Sequence, residues 1–286
     1  MRRPLKSPRP TSKLAAPLLK LGIVGCGAIG SRIAGSVRKE LKGLFTVAAV
    51  HDIDHTRARD LAGRLDLGAE AVVSIDALIQ GADVVVEAVN TAAAAGIVRK
   101  SLQAGKSVLA MSVGRLLDHG SLFPLARRSA GQLLLPSGAV AGLDAVKAAA
   151  LAGITAITLI SRKPPAGFFG NVYIKEKGIR LHALKKDKIL FDGGVMEAVR
   201  YFPQNINVAA AVALAAGPQA ALRVRIIASP AARRNSHEIL LEGECGRITT
   251  RTENTVCPDN PKTSYLAVLS GIRTLKGFAD HIKIGT

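Results

Sequence analysis

Six residues constrain this chain more than any other feature. Gly25-Cys26-Gly27-Ala28-Ile29-Gly30 follow directly on a short apolar run, Leu21 to Val24. A helical pattern from Ser31 to Leu41 comes next, then a second apolar run from Leu44 to Val50, with Asp52 just past it. A strand, three spaced glycines, a helix, a second strand and an acid, in that order, describe a dinucleotide-binding βαβ unit. Gly25 permits the tight turn off the strand, Gly27 lets the backbone approach the pyrophosphate, and Gly30 lets the helix pack near the strand. Ala28 and Ile29 open that helix, where free N–H groups and partial positive charge suit a phosphate. Asp52, twenty-two residues after Gly30, is placed to accept hydrogen bonds from the adenosine ribose hydroxyls. An acid there repels a 2′-phosphate, so NAD is the expected cofactor and NADP the alternative. His55 and Arg57 lie just beyond and would soften the preference. Asp52 has a second reading as N-cap of a helix starting near Thr56.

The alternation continues. Ala71–Ser74, Asp83–Ala88, Ser107–Met111 and Gln132–Leu135 read as further strands, with helices at Ala92–Ala104 and Leu122–Ala130 between them. Strands alternating with helices imply a parallel, doubly wound α/β sheet of the Rossmann type. Glu87, Asn90 and Ser112 then fall at strand C-termini, the edge where such sheets bind ligands. After Leu135 the pattern changes. A Gly-rich turn opens another apolar helix, and from Ile154 the segments AITLISRKPP, NVYIKEKGIRLHAL, ALRVRIIASP, HEILLEG and GRITTRTE alternate apolar with polar residues, as an antiparallel sheet with one wet face would. One helix, Val208–Ala216, interrupts them. The expected organisation is a basic extension over residues 1–19, a nucleotide-binding domain over 20–136, an α+β domain over 137–262, and a last helix, 263–286, packing back on the first domain.

Composition narrows the function classes. The formal charge is +18, from 39 Lys and Arg against 21 Asp and Glu, and no aromatic side chains are interleaved with the basic ones as a single-strand-binding groove would prefer. The first twenty residues carry six basic side chains, no acid and four prolines, which suits neither a stable helix nor a signal peptide. No uncharged apolar run reaches the length needed to span a bilayer. Three cysteines, Cys26, Cys245 and Cys257, are too few for a disulfide scaffold or a zinc ribbon, and a reducing, cytoplasmic setting fits them. No metal site is indicated, and neither a membrane nor a nucleic-acid partner is expected.

A nicotinamide enzyme needs an acid or base near the carbon that gives up hydride. Of six histidines, His51 and His55 lie at the adenosine end, and His119, His182 and His281 have no reactive neighbour in sequence. His237 differs. It sits in Arg233-Arg234-Asn235-Ser236-His237-Glu238, after a strand and a Pro-containing turn, where Arg233 and Arg234 could hold substrate carboxylates. A surface turn with a basic flank is the equally plain alternative.

The chain resembles the L-aspartate dehydrogenase family. The matching stretches are GIVGCGAIG (22–30), VLAMSVG (108–114), PSGAVAGLDAV (136–146), RKPP (162–165), FPQNINVAAAVALA (202–215), RNSHEI (234–239) and NPKTSYLAVLS (260–270). The resemblance implies that His237 is the active-site acid/base, that Asn207 contacts the nicotinamide end of the cofactor, and that Ala141 does so through its backbone N–H. It brings Ser137, Arg234, Asn235 and Lys262 forward as substrate contacts. The implied reaction oxidises L-aspartate to iminoaspartate, which hydrolyses to oxaloacetate and ammonia or passes to quinolinate synthesis, in a homodimer. Asn90 and Thr91 depart from the pattern, standing where a small hydroxyl residue is expected. The rival readings are another Rossmann oxidoreductase of the homoserine-dehydrogenase or dihydrodipicolinate-reductase kind, a non-catalytic NAD sensor, and a nucleic-acid-associated protein.

Overall fold

The apolar run before the glycines becomes the central strand of a parallel sheet. Leu19–Val24 (β1) lies between Phe45–His51 (β2) and Val84–Glu87 (β3), and Ser107–Ala110 (β4) and Leu133–Leu134 (β5) complete the order β2-β1-β3-β4-β5. This computed structural model describes residues 17–89, 91–203, 206–258 and 260–285, apart from the side chains of 260–262. Most of the basic extension therefore lies outside the described residues. Continuous apolar strands suit a sheet covered on both faces. One face packs Leu21, Ile23, Val84 and Val86 against Ala28–Ser36 (α1) and His55–Arg64 (α2). The other packs Val24, Val85 and Val108 against Ile75–Gly81 (α3), Ala93–Gln103 (α4) and Leu122–Arg128 (α5). Each fully buried Leu, Ile or Val contributes about 1.5–3 kcal/mol.

Leu143–Ala152 (α6) leads into a second sheet. Ile154–Lys163 (β6) is its centre, and Lys188–Gly194 (β7), Leu222–Ala228 (β8), Asn235–Gly243 (β9) and Gly246–Asn254 (β10) give the order β10-β9-β6-β8-β7. Only the β6–β8 pair is parallel. Val172–Glu176 (α7), Val195–Tyr201 (α8) and Asn207–Ala216 (α9) are the helices of this half. A short ladder, Val256–Cys257 (β11) with Asn260–Ser264 (β12), precedes Tyr265–Ala279 (α10). Helix α10 places Val268, Ile272 and Leu275 in the same core as Ile33 and Leu61 of the first sheet's helices.

Three expectations are corrected. Ala71–Ser74 is not a strand: residues Ala69–Ala71 form a 3₁₀ turn and only Val72 bridges to Val50. The segment 171–184 is not a strand either. The Asn171 carboxamide oxygen accepts from the Ile174 N–H and caps α7, Gly178 ends it with φ +63°, and Leu181–Ala183 make a 3₁₀ turn. Packing explains the override. Tyr173 sits with Phe191, Tyr201 and Phe202 in an aromatic cluster, its ring 4.5 Å from that of Tyr201, so a large share of the chain's few aromatic residues meets here. Asp52 does not cap α2. The cap is Asp54, whose carboxylate accepts from the Thr56 N–H. Strand β7 and helix α8 had no counterpart in the sequence reading.

Candidate active site

The glycine loop is built from backbone. Gly25 has φ +96°, and a Cβ there would stand 2.6 Å from the Ala88 carbonyl oxygen. A Cβ on Gly30 would fall 1.9 Å from the Gly25 carbonyl oxygen, so no side chain fits without moving the strand. Gly27 differs from both: its Cβ position meets nothing within 4 Å and its backbone is extended (φ −69°, ψ −171°). Space therefore stands open at the helix N-cap, where the first N–H groups, including those of Ala28 and Ile29, have no intrahelical acceptor. No acid occupies the first turn of α1. That cradle fits a cofactor pyrophosphate. Asp52 holds it from the side, one oxygen accepting from the Cys26 N–H at 2.7 Å and the other from the Asp54 N–H at 2.9 Å. Cys26 is no nucleophile, since burial, with the Asp52 charge adding, pushes its thiol up to about 12.

The loops after β3 and β4 leave the same edge of the sheet. Glu87, fully buried, accepts from the Val89 N–H, the Ser112 N–H and the Ser112 hydroxyl, tying the two loops together. Asn207 opens α9 and spans to this edge: its carboxamide oxygen accepts from the Gly114 N–H at 2.9 Å, and its amide donates to the Met111 carbonyl at 3.3 Å. The side chain thus joins the second half of the chain to the first. Asn90 lies outside the described residues, and Thr91 accepts from the Ala93 N–H.

Residues 136–142 close the site from a third side. Thr252 and Asn254 of β10 both donate to the Ala139 carbonyl, Thr250 donates to that of Ala141, and the Ser270 hydroxyl of α10 accepts from the Gly138 N–H. Ser137 and Ala141 stand in this pinned loop. The N–H of Ala141 has no acceptor among the described residues and is available to a ligand.

His237 lies under that loop. It is buried on β9, paired with Ser161 of β6 on one side and Thr252 of β10 on the other. Its Nδ1 is 2.9 Å from the Ser161 hydroxyl, which leaves Nε2 for chemistry. Burial, with Lys163 adding its charge, draws the imidazole down to about 3. In the free enzyme His237 is a neutral imidazole across the physiological range. Lys163, the last residue of β6, is itself drawn down to about 8 by burial. Neither Ser161 nor Lys163 was singled out from sequence. A signal was present: in the inward alternation Ile157, Leu159, Ser161, Lys163, two polar residues replace two apolar ones.

Asn235 begins β9 opposite Asn254, half-buried at the same end. Arg233 and Arg234 are exposed in the preceding turn. The side chain of Lys262 lies outside the described residues. Among those described, no group of His, Cys, Asp and Glu is placed to hold a metal ion, and no helix is long and apolar enough to cross a membrane.

Two family profiles divide the chain between them. "Homoserine dehydrogenase, NAD binding domain" matches residues 25–136, and "Aspartate dehydrogenase, C-terminal" matches residues 144–278. The L-aspartate dehydrogenase of Methanosarcina acetivorans is 44% identical over 277 residues, covering 94% of this chain and 100% of that one. That of Methanococcus maripaludis strain C6 is 41% identical over 273 residues, with the same coverage. Among solved structures, aspartate dehydrogenase from Thermotoga maritima superposes with a TM-score of 0.68 at 23% identity, over 93% of this chain and 99% of that one. This last likeness shows a shared fold.

Proposed function

This chain belongs to the L-aspartate dehydrogenase family, and from that premise we propose how its residues divide the oxidation of L-aspartate to iminoaspartate. What carries the reading is that identity runs through both halves, so the cofactor loop and the strand bearing His237 are matched together. When bound, NAD(P) supplies the hydride acceptor. Gly27, Ala28 and Ile29 offer the backbone cradle for its pyrophosphate, and Asp52 faces its adenosine ribose. Asn207 and the Ala141 N–H serve the nicotinamide end, and Ser137, Asn235, Arg234 and Lys262 remain the candidate contacts to substrate.

Hydride leaves Cα only once the substrate amine is neutral, so a proton must first move to the protein. In this proposal His237 takes it at Nε2 while Nδ1–H donates to the Ser161 oxygen. A free imidazole drawn down to about 3 is a poor base. Aspartate changes that on arrival, because its two carboxylates oppose the Lys163 charge and favour the imidazolium. The buried end of the sheet keeps this exchange strong by limiting solvent screening. The imine then hydrolyses to oxaloacetate and ammonia or is taken by a quinolinate-forming step. A cytoplasmic homodimer belongs to the same proposal, with a solution mass of twice 29.8 kDa as its check.

The test follows the absorbance of reduced nicotinamide with purified protein, NAD or NADP, and a panel of L-amino acids. Reduction with L-aspartate, faster with NAD than with NADP because of Asp52, is the expected result. Bound NAD with no turnover of L-aspartate would overturn the reading in favour of a sensor.

A further inference from the structure

Strand β9 carries His237 between Ser161 on β6 and Thr252 on β10, all three on one face of the sheet. Ser161 and His237 are 4% and 3% exposed. The Thr252 hydroxyl donates to the Ala139 carbonyl at 2.8 Å, with a longer contact of 3.4 Å to the backbone carbonyl of His237, so it serves the pinned loop and not the imidazole. Among the described residues the Ser161 hydroxyl is the one hydrogen-bond partner of the ring, 2.9 Å from Nδ1, and the ring is the one partner of that hydroxyl. The acids of these strands, Glu238, Glu242 and Glu253, fall on the opposite alternation. Serine and histidine thus form a closed pair, in which Nδ1 is engaged inside the sheet and Nε2 has no partner from the protein.

A histidine ring has two orientations about χ2, related by a half-turn. In one, Nδ1 meets the hydroxyl; in the other a ring carbon does, and Nε2 is displaced with it. The Ser161 bond selects the first. A neutral imidazole also has two tautomers, and a hydroxyl can serve either, accepting from Nδ1–H or donating to a bare Nδ1. Only the former leaves a lone pair on Nε2. Resting on the L-aspartate reading above, we propose that Ser161 is a positioning residue for His237, accepting Nδ1–H so that Nε2 meets the substrate amine as a base. The same hydroxyl serves the next state. As the ammonium N–H bond breaks and the Nε2–H bond forms, the ring becomes an imidazolium with two donors, and its Nδ1–H keeps an acceptor through a bond that is now charge-assisted. Burial, with the Lys163 charge adding, disfavours that imidazolium, so an Nδ1–H with no acceptor would weaken the base further. A carboxylate in place of the hydroxyl would overshoot, holding the ring protonated before the substrate arrives.

The experiment uses the full-length enzyme with NAD bound, the variants Ser161→Ala, Ser161→Cys and Ser161→Thr, and two readouts. The first is steady-state kinetics. Ser161→Ala is expected to lower kcat by about 10- to 100-fold, as loss of a hydrogen bond to a charged group does, while KM for L-aspartate and NAD affinity stay near the wild-type values. Cysteine fills the same space but accepts weakly, so it should behave like alanine, and threonine, which keeps the hydroxyl, should recover most of the loss. The second readout is the ¹⁵N spectrum of histidine-labelled protein, which shows the nitrogen that carries the ring proton. His237 is picked out of the six histidines by the signal lost in His237→Gln. The proton should sit on Nδ1 in the wild type and shift toward Nε2 in Ser161→Ala. A wild-type ring protonated on Nε2, or a folded Ser161→Ala protein with wild-type kcat, overturns the proposal. A fall in kcat that threonine shares and that leaves the ring proton in place assigns Ser161 to packing alone and overturns it too. If the alanine variant does not fold, Ser161→Cys and the wild-type spectrum decide. A wild-type enzyme inactive toward L-aspartate defeats the functional reading, whereas an active one with an indifferent Ser161 variant defeats this proposal alone.

Discussion

In the proposed site the glycine loop after β1 and the polar end of the second sheet work by different means. The loop spans 25–30 and works through backbone: an open N-cap at Gly27, a carbonyl against Gly30, and an aspartate clasping the Cys26 N–H. The sheet end works through side chains brought from afar, with Ser161 and His237 separated by 76 residues in sequence and 2.9 Å in space. The first is a local code, so changing it alters shape before chemistry. The second depends on strand register, so single side chains there change chemistry on an intact frame.

The largest expected effect tests that division directly. His237→Ala removes the proposed proton acceptor from a strand held by two neighbours, and kcat should fall by roughly 10²–10⁴. NAD affinity, read by quenching or enhancement of reduced-nicotinamide fluorescence, should stay at the wild-type value. A variant with full kcat removes His237 from the chemistry. One that loses NAD binding as well shows that the two regions are not separable.

The same division explains what could be read from the sequence. Strand, glycines, helix and Asp52 follow one another within about thirty residues, and nearest-neighbour sterics dictate their use. The parallel sheet was legible for the same reason, and a short motif likewise brought His237 forward as a candidate. Ser161 and Lys163 were not. Their meaning arises only when β6 is laid antiparallel to β9, and no local pattern specifies which strand lies beside which. The misread segment 171–184 fails in the same way. Its alternation is strand-like, but the Asn171 cap and the stacking of Tyr173 on Tyr201, a residue of another helix, decide the outcome. Strand β7, ending in Asp192-Gly193-Gly194, was missed because its partner β8 holds it through Arg223 and Arg225 on Asp192.

A pair of substitutions inside the loop sharpens the comparison next. Gly30→Ala puts a methyl 1.9 Å from a backbone oxygen and should cost about 3 kcal/mol of stability, seen as a lowered urea midpoint. Gly27→Ala meets no atom of the protein, so the midpoint should barely move. Its methyl would instead occupy the space proposed for the pyrophosphate, and NAD should bind about tenfold more weakly or worse. Wild-type NAD affinity in Gly27→Ala would move the phosphates away from this loop.

The smallest effect lies in how the sheet end responds to pH. The folded protein draws His237 down to about 3, whereas an unfolded chain leaves it near 6.5. Between those values the unfolded state binds the proton and the native state does not, so acid favours unfolding. The stabilisation tied to the neutral imidazole is present above 6.5 and is lost progressively as pH falls toward 3. From pH 7 to pH 5 this one residue should remove about 2 kcal/mol. Urea unfolding of the wild type and of His237→Gln at both pH values isolates the contribution, since other groups titrate alike in the two proteins. Glutamine keeps a hydrogen-bonding group opposite Ser161 and cannot take up the proton, so its stability should vary less over that interval. Lys163, a cationic acid like the imidazolium, acts in the same sense higher up the scale. With its ammonium drawn down to about 8 in the fold, against about 10.4 in an unfolded chain, stability should climb as pH rises through that window. In the loop region the Cys26 thiol stays protonated until about pH 12. A pH response in these two windows that survives both His237→Gln and Lys163→Met would therefore place the sensitivity elsewhere and dissolve the contrast between a backbone-built and a side-chain-built half of the site.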